Sequence, residues 1–216
     1  MAKKLTAEEE AKRLDGMYII EREKRLEGHN IICGTDEAGR GPLAGPVYAA
    51  AVILPEGLLI PGLNDSKKLS EKRREELFDV ITEKALAYSI ASVDEKRIDE
   101  INILNASLEA MNIAVGALDI KPDFVLVDGN TTRGLCFPCE AVVKGDAKSA
   151  SIAAASILAK VSRDRYMMKM AEEYPQYGFE KHKGYGTKAH SESILKYGPC
   201  PIHRRSFLKK LLGDTV

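Results

Sequence analysis

Twice along this chain a short, mainly apolar run ends abruptly in carboxylates and glycine. Residues 31–35 lead to the adjacent pair Asp36 and Glu37, and residues 124–127 lead to Asp128. An apolar run of this kind predicts a strand that is covered on both faces, as in the sheets of α/β proteins. Ligands bind such sheets where strand ends meet loops. We therefore expect an α/β fold with acidic side chains at one edge of its sheet.

The pair Asp36 and Glu37 needs a counter-charge if its strand is buried. Two carboxylates about 4 Å apart repel by about 4 kcal/mol at an effective dielectric constant near 20, and a hard divalent cation relieves that repulsion. Neighbouring residues of a straight strand point to opposite faces, so both acids can face one metal only if the chain turns here, which Gly39 and Gly41 would permit. Taken alone, this segment is equally compatible with an ordinary acidic turn, and an Asp-Gly pair such as the one at Asp128 is by itself more often a turn than a ligand.

A fourth acid, Asp164, falls on the apolar stripe of a helix predicted over residues 148–173. An ionised carboxylate on a buried helix face needs a charged partner or a metal. Its neighbours Arg163 and Arg165 fall off the stripe, so we expect them to reach solvent or phosphate. The alternative for Asp164 is an ordinary ion pair with a nearby arginine.

Apolar periodicity and chain breakers place the remaining elements. Strands are predicted over residues 31–35, 47–54, 88–93, 124–128 and 141–144, and helices over residues 6–28, 98–118 and 148–173, with a further helix capped by Ser70. The chain has 216 residues, of which 44% are hydrophobic, enough for one full core. We divide it into an N-terminal helical extension (1–28), an α/β domain (29–175) and a basic C-terminal segment (176–216).

Charge and cysteine usage narrow the partners and the compartment. Basic and acidic residues both number 32, but the stretch 181–210 is strongly basic and suits a polyanion; a solvated basic surface is the alternative. The N-terminus shows no signal-peptide pattern and no membrane-spanning segment, so we expect a cytoplasmic protein with reduced thiols. An alternative is a zinc site with the four ligands Cys136, Cys139, Cys200 and His203. It is disfavoured because the two pairs of ligands are far apart in the sequence and no compact knuckle surrounds either pair.

Six motifs in a fixed order carry a family resemblance. They are DEAGRGP at 36–42, NDSKKLS at 64–70, VDG at 127–129, SRDR at 162–165, HKGYGT at 182–187 and HRRSF at 203–207. Together they closely resemble bacterial ribonuclease HII, the type 2 ribonuclease H, over about residues 31–207. Each motif alone is weak, whereas the ordered set is highly specific.

The resemblance implies a fold, a reaction and a metal site. The expected fold is ribonuclease-H-like, a mixed five-stranded sheet flanked by helices, with a small C-terminal helical appendage that helps to hold the duplex. The expected enzyme is an endoribonuclease that hydrolyses the RNA strand of RNA/DNA hybrids and cuts on the 5′ side of ribonucleotides embedded in duplex DNA, leaving 3′-hydroxyl and 5′-phosphate ends. Two Mg²⁺ or Mn²⁺ ions would be bound by the catalytic acids Asp36, Glu37, Asp128 and Asp164.

The resemblance also implies the residues that contact the substrate. Backbone groups of Gly39, Arg40 and Gly41 would surround the ribonucleotide, and Tyr185 would pack on the deoxyribose that follows it, although without the family match Tyr185 is an ordinary loop aromatic. Phosphate contacts are expected from Lys67, Lys68, Lys181, Lys183, Arg204 and Arg205.

Two alternatives to this function remain open. One is a metal-dependent exonuclease or phosphatase built on the same carboxylates, and the other is a non-catalytic hybrid-binding module. The predicted protein is a monomer with no membrane partner, and the role of its N-terminal helix stays open.

Overall fold

The computed structural model describes residues 5–213. Residues 1–4 and 214–216, which belong to the predicted N-terminal extension and C-terminal segment, lie outside this range. The centre is a five-stranded sheet in the order β3-β2-β1-β4-β5. Its strands are β1 (Ile32–Ala38), β2 (Val47–Ile53), β3 (Ala87–Val93), β4 (Phe124–Asp128) and β5 (Cys139–Val142).

The sheet is mixed, as the resemblance predicts. β2 runs antiparallel to both β1 and β3, whereas β1, β4 and β5 are parallel to one another. The pairing of β1 with β4 ends at Thr35 and Val127, and the next residues along the two strands are Asp36 and Asp128. Because parallel strands end at the same edge of a sheet, the two carboxylates emerge side by side.

β1 is longer than its sequence pattern predicts. It stays paired with β2 as far as Ala38, which lies opposite Tyr48. The predicted turn at Asp36 and Glu37 is therefore wrong, and the chain leaves the strand only at Gly39, whose φ is +102°. The apolar pattern stops at Thr35 because the next two residues, Asp36 and Glu37, line a pocket.

Eight helices surround the sheet in the described range. The ends of the three longest agree with those of the predicted helices to within a few residues, and the three C-terminal helices form the expected appendage, whose individual helices were not predicted. The N-terminus differs. There the predicted single helix is two helices separated by a short turn at Met17 and Tyr18. Asn102, with φ +66°, kinks the fourth helix. The helices are α1 (Ala7–Gly16), α2 (Ile19–Leu26), α3 (Glu71–Lys84), α4 (Glu95–Gly116), α5 (Ala150–Glu173), α6 (Phe179–His182), α7 (Lys188–Tyr197) and α8 (Arg205–Leu212).

Apolar side chains cover both faces of the sheet. On one face, β2 packs with α1, α3 and α5, and Leu14, Met17 and Tyr18 join this cluster, so the N-terminal helices are part of the main core. On the other face, β1, β2 and β4 pack against α4. A third cluster joins the C-terminal helices to α5 through Met167.

Helix α5 approaches the sheet unusually closely. A Cβ atom added to Gly34 of β1 would lie 2.2 Å from the carbonyl carbon of Ser151, so no other residue fits at position 34 unless the helix moves. Small residues such as Ala153, Ala154 and Ala155, all fully buried, make this approach possible along the helix. The start of α5 is therefore fixed against β1.

Within residues 5–213, none of the helices is both long enough and apolar enough to cross a membrane.

Candidate active site

Three aspartates converge at the edge where β1 and β4 end. Asp36, Asp128 and Asp146 each offer a carboxylate oxygen, and these oxygens lie within 4.8 Å of one another. Asp36 and Asp146 are buried, and Asp128 is half-buried. Among residues 5–213 this is the only group of three or more acidic, histidine or cysteine side chains close enough to share a metal ion.

Glu37 lies beside this cluster in a pocket of about 200 Å³ that it lines with Asp36 and Asp128. Its carboxylate accepts a hydrogen bond from Arg40, with 3.4 Å between Nη1 and Oε1. Although Asp36 and Glu37 are strand neighbours, both reach the pocket because β1 has no partner on its β4 side beyond Thr35. The open edge of β1 thus lets both acids face one site, for which the sequence pattern had predicted a turn.

Asp146 belongs to the cluster although the sequence analysis did not select it. It lies in a 3₁₀ turn, Gly145–Ala147, between β5 and α5. The amides of Gly145 and Asp146 donate to Oδ1 of Asp128 over 2.7 and 3.4 Å. This turn is therefore tied directly to the end of β4, and its carboxylate is held facing that of Asp128.

The carboxylates oppose one another's ionisation. Burial, followed by the charges of Glu37 and Asp128, raises the pKa of Asp36 well above its ordinary value. Burial also raises the pKa values of Glu37 and Asp146, and Asp128 adds to both effects. Hard oxygen donors that repel one another in a buried pocket fit Mg²⁺ or Mn²⁺, because a divalent cation offsets both the burial and the repulsion.

Asp164, predicted as the fourth catalytic acid, does not join the cluster. It is buried on α5 as its periodicity predicts, but its carboxylate is 2.6 Å from Nζ of Lys160 and 3.7 Å from a guanidinium nitrogen of Arg74 on α3. Two cations therefore already compensate its charge. The alternative of an ordinary ion pair describes its surroundings, with Lys160 and Arg74 as partners in place of the neighbouring arginines.

Lys67 lies at the border between the pocket and solvent. Its side chain is 76% exposed, and its ammonium lies 3.4 Å from Oδ2 of Asp146. Burial lowers the pKa of Lys67, but the nearby carboxylates of Asp36 and Asp146 outweigh this effect and leave the pKa raised. Lys68, the next residue, is exposed and lines a separate hollow together with Arg13 and Lys148.

The loop at residues 39–41 also lines the pocket. A Cβ atom on Gly39 would lie 2.1 Å from Nε of Arg163, and its φ of +102° is itself unfavourable for other residues. Glycine is required at this position for both reasons. The amides of Arg40 and Gly41 donate no hydrogen bond to any residue in the part of the chain that the structure describes.

A buried arginine, Arg204, holds this loop from the inside. Its guanidinium donates to the carbonyl oxygens of Gly39, Arg40 and Pro42 over 2.6, 3.0 and 2.9 Å, and also to Gly45. The side chain is fully buried, and burial lowers its pKa to about 9. The prediction that Arg204 contacts phosphate is therefore wrong for this structure, since its donors are used by the loop.

Arg163 holds the following stretch of the same loop. It donates to the carbonyls of Ala44, Pro46 and Lys183 over about 3 Å each and is 1% exposed. The expectation that Arg163 points to solvent or phosphate is also wrong. Arg165, the other flanking arginine, is exposed and pairs with Glu75 of α3.

Tyr185 lies next to the loop at residues 39–41. It is 45% exposed, it lines the carboxylate pocket, and its ring lies above the guanidinium of Arg163. A Cβ atom on Gly41 would be 3.7 Å from its ring. Arg205 is exposed at the start of α8, where its amide donates to Asp99. The roles of Tyr185 and Arg205 toward a substrate stay predictions.

The four ligands of the alternative zinc site do not come together. Cys200 and His203 are in contact, with 3.1 Å between Sγ and Nδ1, but Cys139 lies on β5 and Cys136 is exposed. His203 is instead paired with His190 in the C-terminal core, with 3.1 Å between their Nε2 atoms. Burial lowers the pKa values of both histidines to about 4, so this pair is neutral at physiological pH.

Comparison with known proteins gives a consistent result. The family model described as Ribonuclease HII matches residues 33–210. A relative named Ribonuclease HII from Acetivibrio thermocellus is 57% identical over 210 residues, covering 97% of this chain and 82% of the relative. Another of the same name, from Idiomarina loihiensis, is 61% identical over 186 residues and covers 85% and 100%.

A solved structure agrees with these sequence relatives. The crystal structure of the ribonuclease H2 from Pyrococcus horikoshii OT3 superposes with a TM-score of 0.70 at 32% sequence identity, over 84% of this chain and 97% of that one. The fold is therefore the ribonuclease-H-like fold that the motifs predict.

Proposed function

The chain belongs to the ribonuclease HII family and is a ribonuclease H, and we propose that it hydrolyses the RNA strand of RNA/DNA hybrids and cuts on the 5′ side of single ribonucleotides embedded in duplex DNA. The products would carry 3′-hydroxyl and 5′-phosphate ends. One observation supports this reaction above the others: the carboxylates of Asp36, Glu37 and Asp128 and a backbone-exposing glycine loop line a single pocket.

We assign metal binding to Asp36, Asp128 and Asp146, with Glu37 beside them. Asp146 replaces Asp164 in the predicted set because Asp164 is already neutralised by two cations. Two Mg²⁺ or Mn²⁺ ions at such a site would supply an activated water and charge stabilisation at the scissile phosphate. Oxygen ligands suit both ions.

The loop at residues 39–41 would read the sugar. The carbonyls of Gly39 and Arg40 accept hydrogen bonds from Arg204. The amides of Arg40 and Gly41, which have no acceptor within residues 5–213, would donate to the substrate. A 2′-hydroxyl can accept such hydrogen bonds, and it is the group by which a protein distinguishes RNA from DNA at one nucleotide. Because Arg204 and Arg163 fix the loop before substrate arrives, little ordering entropy would be lost on binding.

Tyr185 would contact the nucleotide that follows the ribonucleotide. Its partly exposed ring lines the same pocket as Asp36, Glu37 and Asp128 and lies next to Gly41. An aromatic face of this kind can pack on a deoxyribose, where a 2′-hydroxyl would crowd it. Lys67, exposed beside Asp146, would contact the phosphate backbone.

The decisive substrate is a duplex DNA with one ribonucleotide, labelled at the 5′ end of the ribonucleotide-containing strand. We expect a single cut on the 5′ side of the ribonucleotide with Mg²⁺ or Mn²⁺, and a product that a DNA polymerase can extend because it ends in a 3′-hydroxyl. All-DNA duplex of the same sequence is the control and should stay intact.

Two results would contradict the proposal. Progressive shortening from free ends would favour the exonuclease alternative, and binding without cleavage under every metal condition would favour the hybrid-binding module. A parallel reaction with a long RNA/DNA hybrid measures the relative preference for the two substrates.

A further inference from the structure

A buried carboxylate connects the N-terminal helices to the start of α5. Glu21 of α2 is only 4% exposed. Its Oε1 accepts hydrogen bonds from the hydroxyls of Ser149 and Ser151 over 2.6 and 2.7 Å and from the amide of Ser151 over 3.1 Å. Within residues 5–213, its Oε2 is buried without a hydrogen-bond partner. Glu21 thus directs its hydrogen bonds to this helix end.

These contacts satisfy backbone donors that a helix leaves free. The first amides of a helix have no partner within it, and they give its N-terminus a partial positive charge. At α5 the amide of Ser151 bonds to Glu21, the amide of Ala150 donates to the carbonyl of Met17 over 3.0 Å, and Ser149 caps Ile152. Two of these three acceptors come from the N-terminal helices or the turn between them, so that segment helps to fix where α5 begins.

The start of α5 in turn carries one member of the carboxylate cluster. The amides of Lys148 and Ser149 donate to the carbonyl of Gly145 over 2.9 and 2.8 Å, and the amide of Gly145 donates to Asp128. Asp146 lies inside this short bonded stretch. Ser151, which follows this stretch in the first turn of α5, packs tightly against Gly34 of β1. A shift at Ser149 or Ser151 would therefore move Asp146 relative to Asp128.

We propose that Glu21 is a positioning residue for the metal centre: it anchors the start of α5 so that Asp146 faces Asp128 at the spacing a metal ion needs. The N-terminal helices then serve the active site without touching substrate or metal. This inference rests on the proposed function, because it requires Asp146 to be a metal ligand.

The test compares four variants by Mn²⁺ binding to the substrate-free protein, measured by calorimetry, and by kcat and KM on the single-ribonucleotide duplex. Glu21→Ala should weaken Mn²⁺ binding about tenfold, in the range found for residues that orient metal ligands, and lower kcat with KM nearly unchanged. Glu21→Gln should restore most of both, since its amide oxygen can still accept the three bonds. Glu23→Ala, an exposed acid on the same helix, is the matched control and should behave as wild type.

A purely structural role predicts a different result. Glu21→Ala would then melt at a lower temperature yet bind Mn²⁺ and turn over normally well below its melting point, and this outcome would overturn the inference. If Glu21→Ala does not fold, Glu21→Asp keeps the charge but shortens the side chain, and unchanged Mn²⁺ affinity in that variant would be equally contrary.

The fourth variant, Asp146→Asn, separates the two proposals. If it binds Mn²⁺ and cuts normally, the assignment of Asp146 as a ligand fails, and the role of Glu21 fails with it. If Asp146→Asn loses both properties while Glu21→Ala keeps them, the metal assignment stands and only the role of Glu21 is rejected.

Discussion

Asp146 lies just before α5 and Asp164 lies within it. The two aspartates are equally buried, each about 5% exposed. Their surroundings are opposite. Asp146, in the turn before α5, faces Asp128 and Asp36 and has one exposed lysine nearby. Asp164, in the middle of α5, faces Lys160 and Arg74. Burial of a carboxylate therefore does not by itself indicate a metal ligand; the balance of charges around it does.

The largest expected difference between the two sites is in catalysis. Asp146→Asn should lower kcat by at least about 100-fold, because it removes a proposed metal ligand. Asp164→Asn should lower kcat by less than about tenfold, because its carboxylate already has two protein cations as partners. Single-turnover cleavage of the single-ribonucleotide duplex, at a temperature where both variants are folded, checks this. Loss of activity in Asp164→Asn alone would reverse the assignment.

Stability should change in the opposite order. Asp164→Asn leaves Lys160 and Arg74 without their counter-charge, and we expect it to lose about 3 kcal/mol of unfolding free energy. Asp146→Asn relieves repulsion in the carboxylate cluster and should gain about 1 kcal/mol in the absence of metal. Urea denaturation in the presence of EDTA measures both values. Equal destabilisation would mean that the two aspartates are compensated in the same way.

The pH dependence of the metal-free protein gives a smaller but more specific difference. The raised pKa values of Asp36, Glu37 and Asp146 mean that the folded state binds these protons more tightly than the unfolded state does. Their contribution to stability is present below the ordinary carboxyl pKa and is lost as the pH rises from about 4 toward neutrality. In Asp146→Asn this loss of stability with rising pH should be smaller than in wild type, whereas in Asp164→Asn it should be unchanged.

His190 and His203 act in the other direction. Their pKa values are lowered to about 4, so they stabilise the folded state increasingly as the pH rises from 4 to about 6.5. Because they contribute equally to all variants, the difference between each variant and wild type isolates the cluster. Saturating Mn²⁺ should restore the stability that ionisation of the carboxylates removes near neutral pH, both in wild type and in Asp164→Asn. Identical pH profiles for both variants would contradict this account.

The smallest expected effect is at Lys67, which distinguishes a structural partner from a substrate contact. Its side chain is 76% exposed, so its ion pair with Asp146 should contribute less than about 1 kcal/mol and Lys67→Gln should melt close to wild type. We expect KM to rise several-fold and its salt dependence to become shallower, as the loss of one phosphate contact predicts. A change in kcat alone, with KM constant, would instead place Lys67 in the chemical step.

Asp146 and Asp164 show most clearly how much of the site the sequence predicts. The rule that strand ends present carboxylates correctly brought Asp36 and Asp128 together. The same rule also fits Asp146, which follows the predicted fifth strand. Periodicity correctly predicted that Asp164 is buried, but its partner Arg74 comes from another helix, and no pattern within one helix reveals such a neighbour.

The basic C-terminal segment shows a second limit. Counting charges treated Arg204 and Arg205 alike, yet one is fully buried on loop carbonyls and the other is exposed. An arginine can be buried without a carboxylate when enough backbone oxygens accept its five donors. That condition depends on where a distant loop packs, which the local sequence does not encode.

The support that Arg204 gives to the loop also has a consequence for the order in which the protein is made. The loop carbonyl of Gly39 and its donor Arg204 are 165 residues apart. At about 5 to 20 residues per second, the ribosome adds Arg204 on the order of ten seconds after the loop. For that interval the growing chain already carries Asp36, Glu37 and, later, Asp128 and Asp146, but not the side chain that turns the loop carbonyls inward. The acids of the nascent enzyme are thus complete before the side chain that holds the ribonucleotide-reading loop in place.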